Sequence, residues 1–395
     1  MEYIRLLDVF FYNMISSIFK TFVLSINIIA FIHCKNEVDN KAKINCSFSA
    51  SLEFHTPSNT SITYKIHDFF EEKGIFVAYH YPTHALDFID MESNKFLNKL
   101  PLESEGPDMI SQVLSLYVHN LDSIFLLTQN QIICINNDGR KLLEIKVNQK
   151  NTDISGFDLE KYRIWCNPEH NQPIYYSSSQ NSLYVGIKPF NTEISLENYK
   201  LPIAGRISFD SMRFHYLPIY YPEPFTKEYY GVLDNPHFLF FDDFTIAAFG
   251  AFYDLFKYDN KKLSVQALGL SSNYIQEKAD YMKVNDIQSA YQDFQVMQKY
   301  FGENPRTAKL RVNRKTSMLY NLYYGPIDKD RLNYRTIGIF KMGKNGKKCS
   351  KIDEIVVSHD EYMTKIFFTL NKGLGLIDKS STDDLLKLKI IECGQ

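Results

Sequence analysis

The stretch Leu116–Val147, LYVHNLDSIFLLTQNQIICINNDGRKLLEIKV, decides the fold of this chain of 395 residues. It contains three short apolar runs that alternate with polar residues, a pattern typical of β-strands. Asn137, Asp138 and Gly139 stand between the last two runs. An Asp-Gly pair between alternating apolar runs is a strong signal for a β-hairpin. We therefore expect a small antiparallel sheet here.

The same pattern returns along the chain. Apolar runs separated by turn residues also occur within 74–90, 173–201, 217–269, 308–358 and 363–392. Repeats of roughly 45–60 residues that contain only strands favour a β-propeller, because blades around an axis cover each other's faces. We predict an all-β chain in which 51–395 form a single propeller of six blades, with seven as the alternative.

One segment interrupts this pattern. Ser271–Asn304 lacks proline and has no glycine before Gly302, and the spacing of Ile287, Tyr291, Phe294 and Met297 is close to helical. We predict a helical insertion of one or two helices between blades. It either patches one face of the propeller or serves as a lid or a partner-binding element.

The N-terminal region indicates the cellular compartment of the protein. Lys20 precedes thirteen uncharged residues, Thr21–His33, and Cys34 follows them. This run is shorter than the roughly 20 residues of a membrane-spanning helix but fits the core of a secretory signal. We expect residues 1–33 to be a signal segment, with Met14 as its true start.

Cys34 is the predicted lipidation site. The segment Ala30–Cys34 (AFIHC) resembles a bacterial lipobox, although His33 replaces the usual small residue before the cysteine. Residues 34–50 are polar and mixed in charge, as in a tether between an anchor and a domain. Ordinary secretion and an uncleaved anchor are the alternatives.

Composition excludes some classes of function. The chain has 44 Lys and Arg against 46 Asp and Glu, and no basic stripe, so we expect no nucleic-acid partner. The 30 Phe and 27 Tyr fit half-buried sheets. The five cysteines besides Cys34 form no CxxC pair. Their odd number argues against a disulfide framework, and their spacing against zinc.

The layout resembles a family of uncharacterised bacterial lipoproteins with a six-bladed, TolB-like propeller. The resemblance rests on the end at Cys34, the turn Glu105-Gly106-Pro107, the hairpin NNDGRKLLEI and the Tyr-rich region before RTIGIF. It covers about residues 50–395 and implies a lipid-anchored protein of a Gram-negative cell envelope, facing the periplasm or on the outer membrane. It implies no activity.

Arg213, His215, Tyr216 and Tyr220 are the candidate ligand-binding residues. Aromatic rings combined with Arg and His line many carbohydrate and peptide sites, because ring faces stack while polar edges fix orientation. The alternative is that these tyrosines only pack in the sheet.

Other polar groups are weaker candidates. His80 and His84 have the spacing of helical metal ligands, but Pro82 and strand-like flanks favour ordinary loop histidines. Asp242 and Asp243 lie next to each other, and a turn is the expected role. No catalytic, cofactor or metal motif is present.

We therefore expect a monomeric, membrane-anchored propeller that binds an envelope protein, a peptide or a glycan without catalysis. The first alternative is a glycan or lactone enzyme, which three or more carboxylates or histidines converging in the central channel would favour. The second is an adaptor for a membrane partner that uses the insertion at 271–304.

Overall fold

The protein is described here by a computed structural model. It covers residues 46–55, 64–166, 174–189, 196–282, 293–304, 306–324, 334–343, 346, 348–358, 360–382 and 385–393. The predicted signal segment, Met14 and Cys34 lie outside the described residues. Asn45–Gln395 form one compact unit.

Within the described residues, the strands form six small sheets, each an antiparallel meander around a common axis. Blade 1 contains β2 (Ile66–Phe70), β3 (Ile75–His80), β4 (Ala85–Asp90) and β5 (Lys95–Pro101). Blade 2 contains β6 (Ser115–Asn120), β7 (Ser123–Leu127), β8 (Gln131–Ile135) and β9 (Lys141–Lys146). Blade 3 contains β10 (Tyr162–Ile164), β11 (Tyr175–Ser177), β12 (Ser182–Pro189), β13 (Ala204–Ser208) and β14 (Arg213–Tyr216).

The second half of the chain continues the meander. Blade 4 contains β15 (Pro236–Phe240), β16 (Phe244–Phe249), β17 (Leu255–Asp259) and β18 (Val265–Ala267). Blade 5 contains β19 (Arg306–Asn313), β20 (Met318–Tyr324), β21 (Tyr334–Met342) and β22 (Cys349–Ser358). Blade 6 contains β23 (Tyr362–Leu370), β24 (Gly373–Asp378), β25 (Leu385–Cys393) and the N-terminal strand β1 (Cys46–His55). The prediction of a six-bladed propeller is confirmed.

Two blades depart from the simple meander. In blade 3 the inner strand is split, so that β11 pairs with the first half of β12 and β10 with its second half. In blade 6 the N-terminal strand β1 is the outermost strand and pairs with the C-terminal strand β25. The two ends of the propeller domain therefore close the ring together.

The core consists of apolar clusters between neighbouring blades, six of them among the described residues. Successive side chains of a strand point to opposite faces. Val77 of β3 accordingly packs against blade 2, whereas its neighbours Phe76 and Ala78 pack against blade 6. Both faces of each sheet are thus covered, which explains the strands that are buried throughout, such as β3 and β15.

A disulfide between Cys46 and Cys393 corrects the expectation from the cysteine count. Each of the two cysteines lies at an end of its strand, and their backbones are paired in register, with the Cα atoms 4.0 Å apart. Residues 46–50, assigned to the tether from their polarity, belong to β1 because they pair with β25. Sequence spacing alone could not show that these positions meet.

The remaining elements of the described residues are short helices. Among them, 3₁₀ turns cover Leu196–Lys200 and Gly231–Asp234, and helix α1 covers Glu223–Lys227. Helix α2 (Phe294–Glu303) lies within the predicted insertion and begins at Asp293, whose carboxylate accepts hydrogen bonds from two backbone amides. Among the described residues, no helix is both long and apolar enough to cross a lipid bilayer.

Candidate functional site

The inner strands of all six blades end around a cavity of about 350 Å³ on the propeller axis, which we call the axial cavity. It lies where β2, β6, β11, β15, β19 and β23 finish and turn outward. Its lining residues are His67, Asp68, Phe69, Phe70, Glu71, Glu72, Tyr117, Val118, His119, Ile174, Tyr175, Tyr176, Ser178, Leu239, Phe240, Asp242, Arg311, Val312, Arg314 and Thr369.

Asp68 and Arg311 are the deepest charged groups of this cavity. The Asp68 carboxylate accepts a hydrogen bond of 2.7 Å from the backbone N–H of Val118. Burial raises the pKa of Asp68 to about 6, although the nearby charges of Arg311 and Arg314 oppose the rise. Burial likewise lowers the pKa of Arg311 to about 10, and the charge of Asp68 opposes that change. The two charges stabilise each other in a partly dehydrated setting.

Glu71 fixes the turn that carries Arg314. Its two carboxylate oxygens accept hydrogen bonds from the backbone N–H groups of Arg314 and Lys315, at 2.8 and 2.9 Å. The Arg314 guanidinium donates in turn to the backbone carbonyl of Phe240 at 2.8 Å. Contacts from blades 1 and 4 therefore hold a blade 5 arginine at the cavity rim.

Asp242 lies at the β15–β16 turn on the other side of the rim. Its carboxylate accepts hydrogen bonds from the hydroxyls of Ser179 at 2.6 Å and Tyr175 at 3.1 Å. Burial raises the pKa of Asp242, but these hydrogen bonds and the charge of Arg314 outweigh it, so the pKa is below the ordinary value. Asp242 is therefore a fixed negative charge at neutral pH.

A stack of three rings and two cations forms one wall of the site. The Arg314 guanidinium lies 4.5 Å from the Tyr175 ring and 4.6 Å from the Phe241 ring. Phe241 stacks on Phe244 at 4.5 Å, and the Lys257 ammonium lies 4.9 Å from the Phe244 ring. These five residues, which we call the cation–ring stack, come from blades 3, 4 and 5 and fix the wall through cation–π contacts.

The charges of the axial cavity are mixed, with an acidic excess. Among the lining residues, the carboxylates Asp68, Glu71, Glu72 and Asp242 face two arginines. His67 and His119 also line the cavity, and burial lowers the pKa of His119. Four carboxylates and two histidines therefore converge in the central channel, the arrangement that would favour the enzyme alternative.

A second cavity adjoins the first. This groove of about 550 Å³, which we call the blade 4 groove, shares Tyr175 and Asp242 with the axial cavity. From there it extends outward across blade 4. Its other lining residues are Phe241, Asp243, Phe244, Lys257, Asp259, Lys262, Ser264 and Gln266.

The four ligand-binding residues predicted from sequence lie elsewhere. Arg213, His215 and Tyr216 are on β14, the outermost strand of blade 3, and Tyr220 follows it. The Tyr216 hydroxyl accepts a hydrogen bond from the backbone N–H of Asp158 at 3.0 Å. None of the four lines the axial cavity, so any binding role for them stays a prediction.

The other polar candidates have structural partners. His84 makes hydrogen bonds of 2.7 Å through both ring nitrogens, to the Tyr79 hydroxyl and the Ile110 carbonyl. His80 is buried and hydrogen-bonded to Thr83. In the described part of the chain, no three His, Cys, Asp or Glu residues are arranged to hold a metal ion.

Helix α2 lies at the opposite end of the propeller from the axial cavity. It ends just before β19 begins, whereas the cavity receives the last residues of β19. At about 3.4 Å per residue, roughly 20 Å separate the two levels. The helix therefore does not cover this cavity. The Tyr300 hydroxyl donates to the backbone carbonyls of Tyr230 and Asp280. These hydrogen bonds fit a helix that covers the face of the propeller opposite the axial cavity.

Sequence reasoning missed Asp68, Arg311 and Arg314, and it assigned Asp242 only a turn. A usable signal was present in IHDFF, where a carboxylate interrupts an inner strand that is otherwise buried. Arg311 occupies the equivalent stretch of blade 5. What the sequence lacked was the register that brings these strands to one axis.

Comparison with known proteins agrees with this architecture. Residues 45–303 match the family model described as "Domain of unknown function (DUF4221)". A member of that family from Bacteroides vulgatus ATCC 8482 has a similar structure, with a TM-score of 0.72 and 14% identity over 89% of this chain and 99% of that one. A putative exported protein from Bacteroides fragilis NCTC 9343 is also similar, with a TM-score of 0.56 and 11% identity over 91% and 98%. No curated protein matches the sequence.

Proposed function

This chain belongs to the DUF4221 family, and we propose that it is a saccharide-binding propeller whose ligand occupies the axial cavity. The observation that carries the proposal is the convergence of carboxylates, arginines and tyrosines from different blades on one open cavity. Its volume of about 350 Å³ lies at the small end of the range for small-molecule sites.

The chemistry of the lining favours a sugar. Each sugar hydroxyl both donates and accepts hydrogen bonds, so a sugar needs both kinds of group around it. Asp68 and Asp242 offer acceptors, while Arg311 offers donors, and the Tyr117 ring lies beside them. The excess of carboxylates over arginines disfavours an anionic ligand. We therefore expect a neutral or amino sugar rather than a uronate.

Calorimetric titration tests this proposal. The probes are glucose, galactose, mannose, glucosamine and N-acetylglucosamine, together with their short oligomers. We expect at least one series to bind with a Kd of ~1 mM or tighter. Asp68→Asn removes a charged acceptor, which is worth about 1.5–3 kcal/mol, and weakens binding tenfold or more. Asp90→Asn, at the end of β4 in the same blade and outside the lining of the cavity, is the matched control and leaves affinity unchanged.

Failure of all these sugars to bind contradicts the proposal. Binding of a basic peptide instead, lost in Asp68→Asn, would favour the peptide ligand that the sequence also suggested. Binding that survives Asp68→Asn but is lost in Tyr216→Ala would move the site to the outer strand of blade 3.

A glycan-cleaving enzyme is the second candidate, and the carboxylate cluster is the observation that favours it. The pKa of about 6 at Asp68 lies in the range of a general acid at neutral pH, and other carboxylates line the same cavity. Incubation of the oligomers with the protein, followed by measurement of new reducing ends, separates the two functions. Turnover that Asp68→Asn abolishes establishes the enzyme, and binding without turnover establishes the lectin.

We also infer that the protein is exported and held at the envelope by a lipid on Cys34. The disulfide between Cys46 and Cys393 supports export, because such bonds persist in oxidising compartments. The similarity to the putative exported protein of Bacteroides fragilis is in line with it. Mass spectrometry of the mature N-terminus decides the matter. A diacylglyceryl Cys34 supports the anchor, and a mature chain that begins at another residue refutes it.

A further inference from the structure

We propose that the blade 4 groove is a second subsite, so that the protein binds a chain of several sugar units rather than a single sugar. This inference rests on the proposed saccharide-binding function. It adds a site that the axial cavity alone does not imply. The chain would enter the axial cavity with one unit and lay the following units outward across blade 4.

The adjacency of the two openings is the first support. Tyr175 and Asp242 line both of them, so the cavity and the groove meet at these two residues. Each residue is held in place: the Tyr175 hydroxyl donates to the Asp242 carboxylate at 3.1 Å, and Ser179 donates to the same carboxylate. The junction is therefore preorganised.

The cation–ring stack is the second support. It begins at Tyr175 beside the axial cavity and continues along the groove through Phe241 and Phe244 to Lys257. Each ring is packed against a neighbouring ring or cation, so the wall is rigid along its length. Cations and rings already cover the faces of Phe241 and Phe244, so this wall offers a ligand ring edges and charged donors, and its rigidity costs little conformational entropy on binding.

The charges of the groove fit the same ligand class. Lys257 and Lys262 line it together with Asp242, Asp243 and Asp259, so groups of both signs are present, with one carboxylate in excess. Ser264 and Gln266 add neutral polar groups at its outer end. Such a lining supplies donors and acceptors in turn, which a neutral sugar chain needs.

The extent of the groove argues for more than one unit. It runs from the turn after the innermost strand β15 to the outermost strand β18. Neighbouring strands lie about 4.8 Å apart, so three spacings amount to about 14 Å. That distance exceeds the length of a single sugar ring.

The test compares sugar length with a blocked groove. Gln266→Trp places a large ring in the outer groove, far from the axial cavity. Val265→Trp is the matched control, because the neighbouring side chain of β18 points to the other face of the sheet and is exposed. The probes are the monosaccharide, disaccharide and trisaccharide of each series named above, titrated into the intact protein.

We expect affinity to rise tenfold or more from monosaccharide to trisaccharide in the original protein and in Val265→Trp. In Gln266→Trp the monosaccharide binds as before and the gain with length disappears. Equal affinity of all lengths, or a trisaccharide that binds Gln266→Trp unimpaired, overturns the second subsite but leaves the axial site standing. Absence of binding by any length overturns both.

Discussion

Replacing Asp68 by Asn should stabilise this protein at neutral pH, although it removes a group that we place at the centre of the site. Burial raises the pKa of Asp68 from the ordinary 3.8 to about 6, which means that the fold disfavours the carboxylate. Asn has the same shape, carries no charge and still accepts the hydrogen bond from the backbone N–H of Val118. The substitution removes the cost of the buried charge together with its smaller attraction to Arg311 and Arg314, and the raised pKa is the net of the two.

The size and pH range of the effect follow from this pKa. A rise from 3.8 to about 6 corresponds to about 3 kcal/mol. Protonated Asp68 contributes its full share of stability below pH 3.8, and that share is lost as the pH rises through about 6. Asp68→Asn should therefore match the original protein near pH 3.5. It should exceed the original by up to about 3 kcal/mol in the free energy of unfolding at pH 8.

Urea unfolding at several pH values, followed by the fluorescence of the single tryptophan, measures this difference. Asp90→Asn is the control with the opposite sign, because hydrogen bonds from Ser93 lower the pKa of Asp90. Its loss of stability should appear above the unfolded pKa and fade as the pH falls. Our account of Asp68 is wrong if Asp68→Asn is less stable than the original protein at pH 8. It is also wrong if the difference between the two does not change with pH.

Three further predictions concern the frame of the site. Replacing both Cys46 and Cys393 by serine should lower the free energy of unfolding by up to about 5 kcal/mol, because the disulfide closes the whole ring. Dithiothreitol should lower the melting temperature of the original protein but not of this variant. Arg314→Lys keeps the charge but loses the flat contact with two rings, so we expect sugar binding to weaken about tenfold at most, with little change in melting temperature. Gly373→Ala should prevent folding or destabilise by several kcal/mol, because a Cβ atom there would lie 2.0 Å from a carbonyl oxygen of the next strand. The control Gly106→Ala, which meets nothing within 4 Å, should cost about 1 kcal/mol for its positive φ, as thermal unfolding would show.

The repeat of strand patterns was enough to predict the propeller, because the strands and turns of each blade are specified within short stretches of sequence. The hairpin at Asn137–Gly139 joins β8 and β9 as expected, and alternation along each strand predicts two buried faces. The ring closure was not predictable in this way. Pairing of β1 with β25 joins residues 347 positions apart, and nothing local in either strand specifies the other.

The site was harder to predict for the same reason. Arg213, His215 and Tyr216 attracted notice because they are adjacent in sequence, yet adjacency on a strand places them on an outer edge. Asp68 and Arg311 are 243 positions apart and line the same cavity only because the inner strands converge on one axis. In a propeller, a charged residue in the first strand of a repeat is therefore a better signal of a site than a cluster of polar residues.

The most direct test is a crystal structure of the protein soaked with the best-binding trisaccharide. Our account predicts one sugar ring in the axial cavity within hydrogen-bonding distance of Asp68 and Arg311, with the following units along Tyr175 towards Gln266. Sugar density on the outer strand of blade 3, beside His215 and Tyr216, with an empty axial cavity would contradict it.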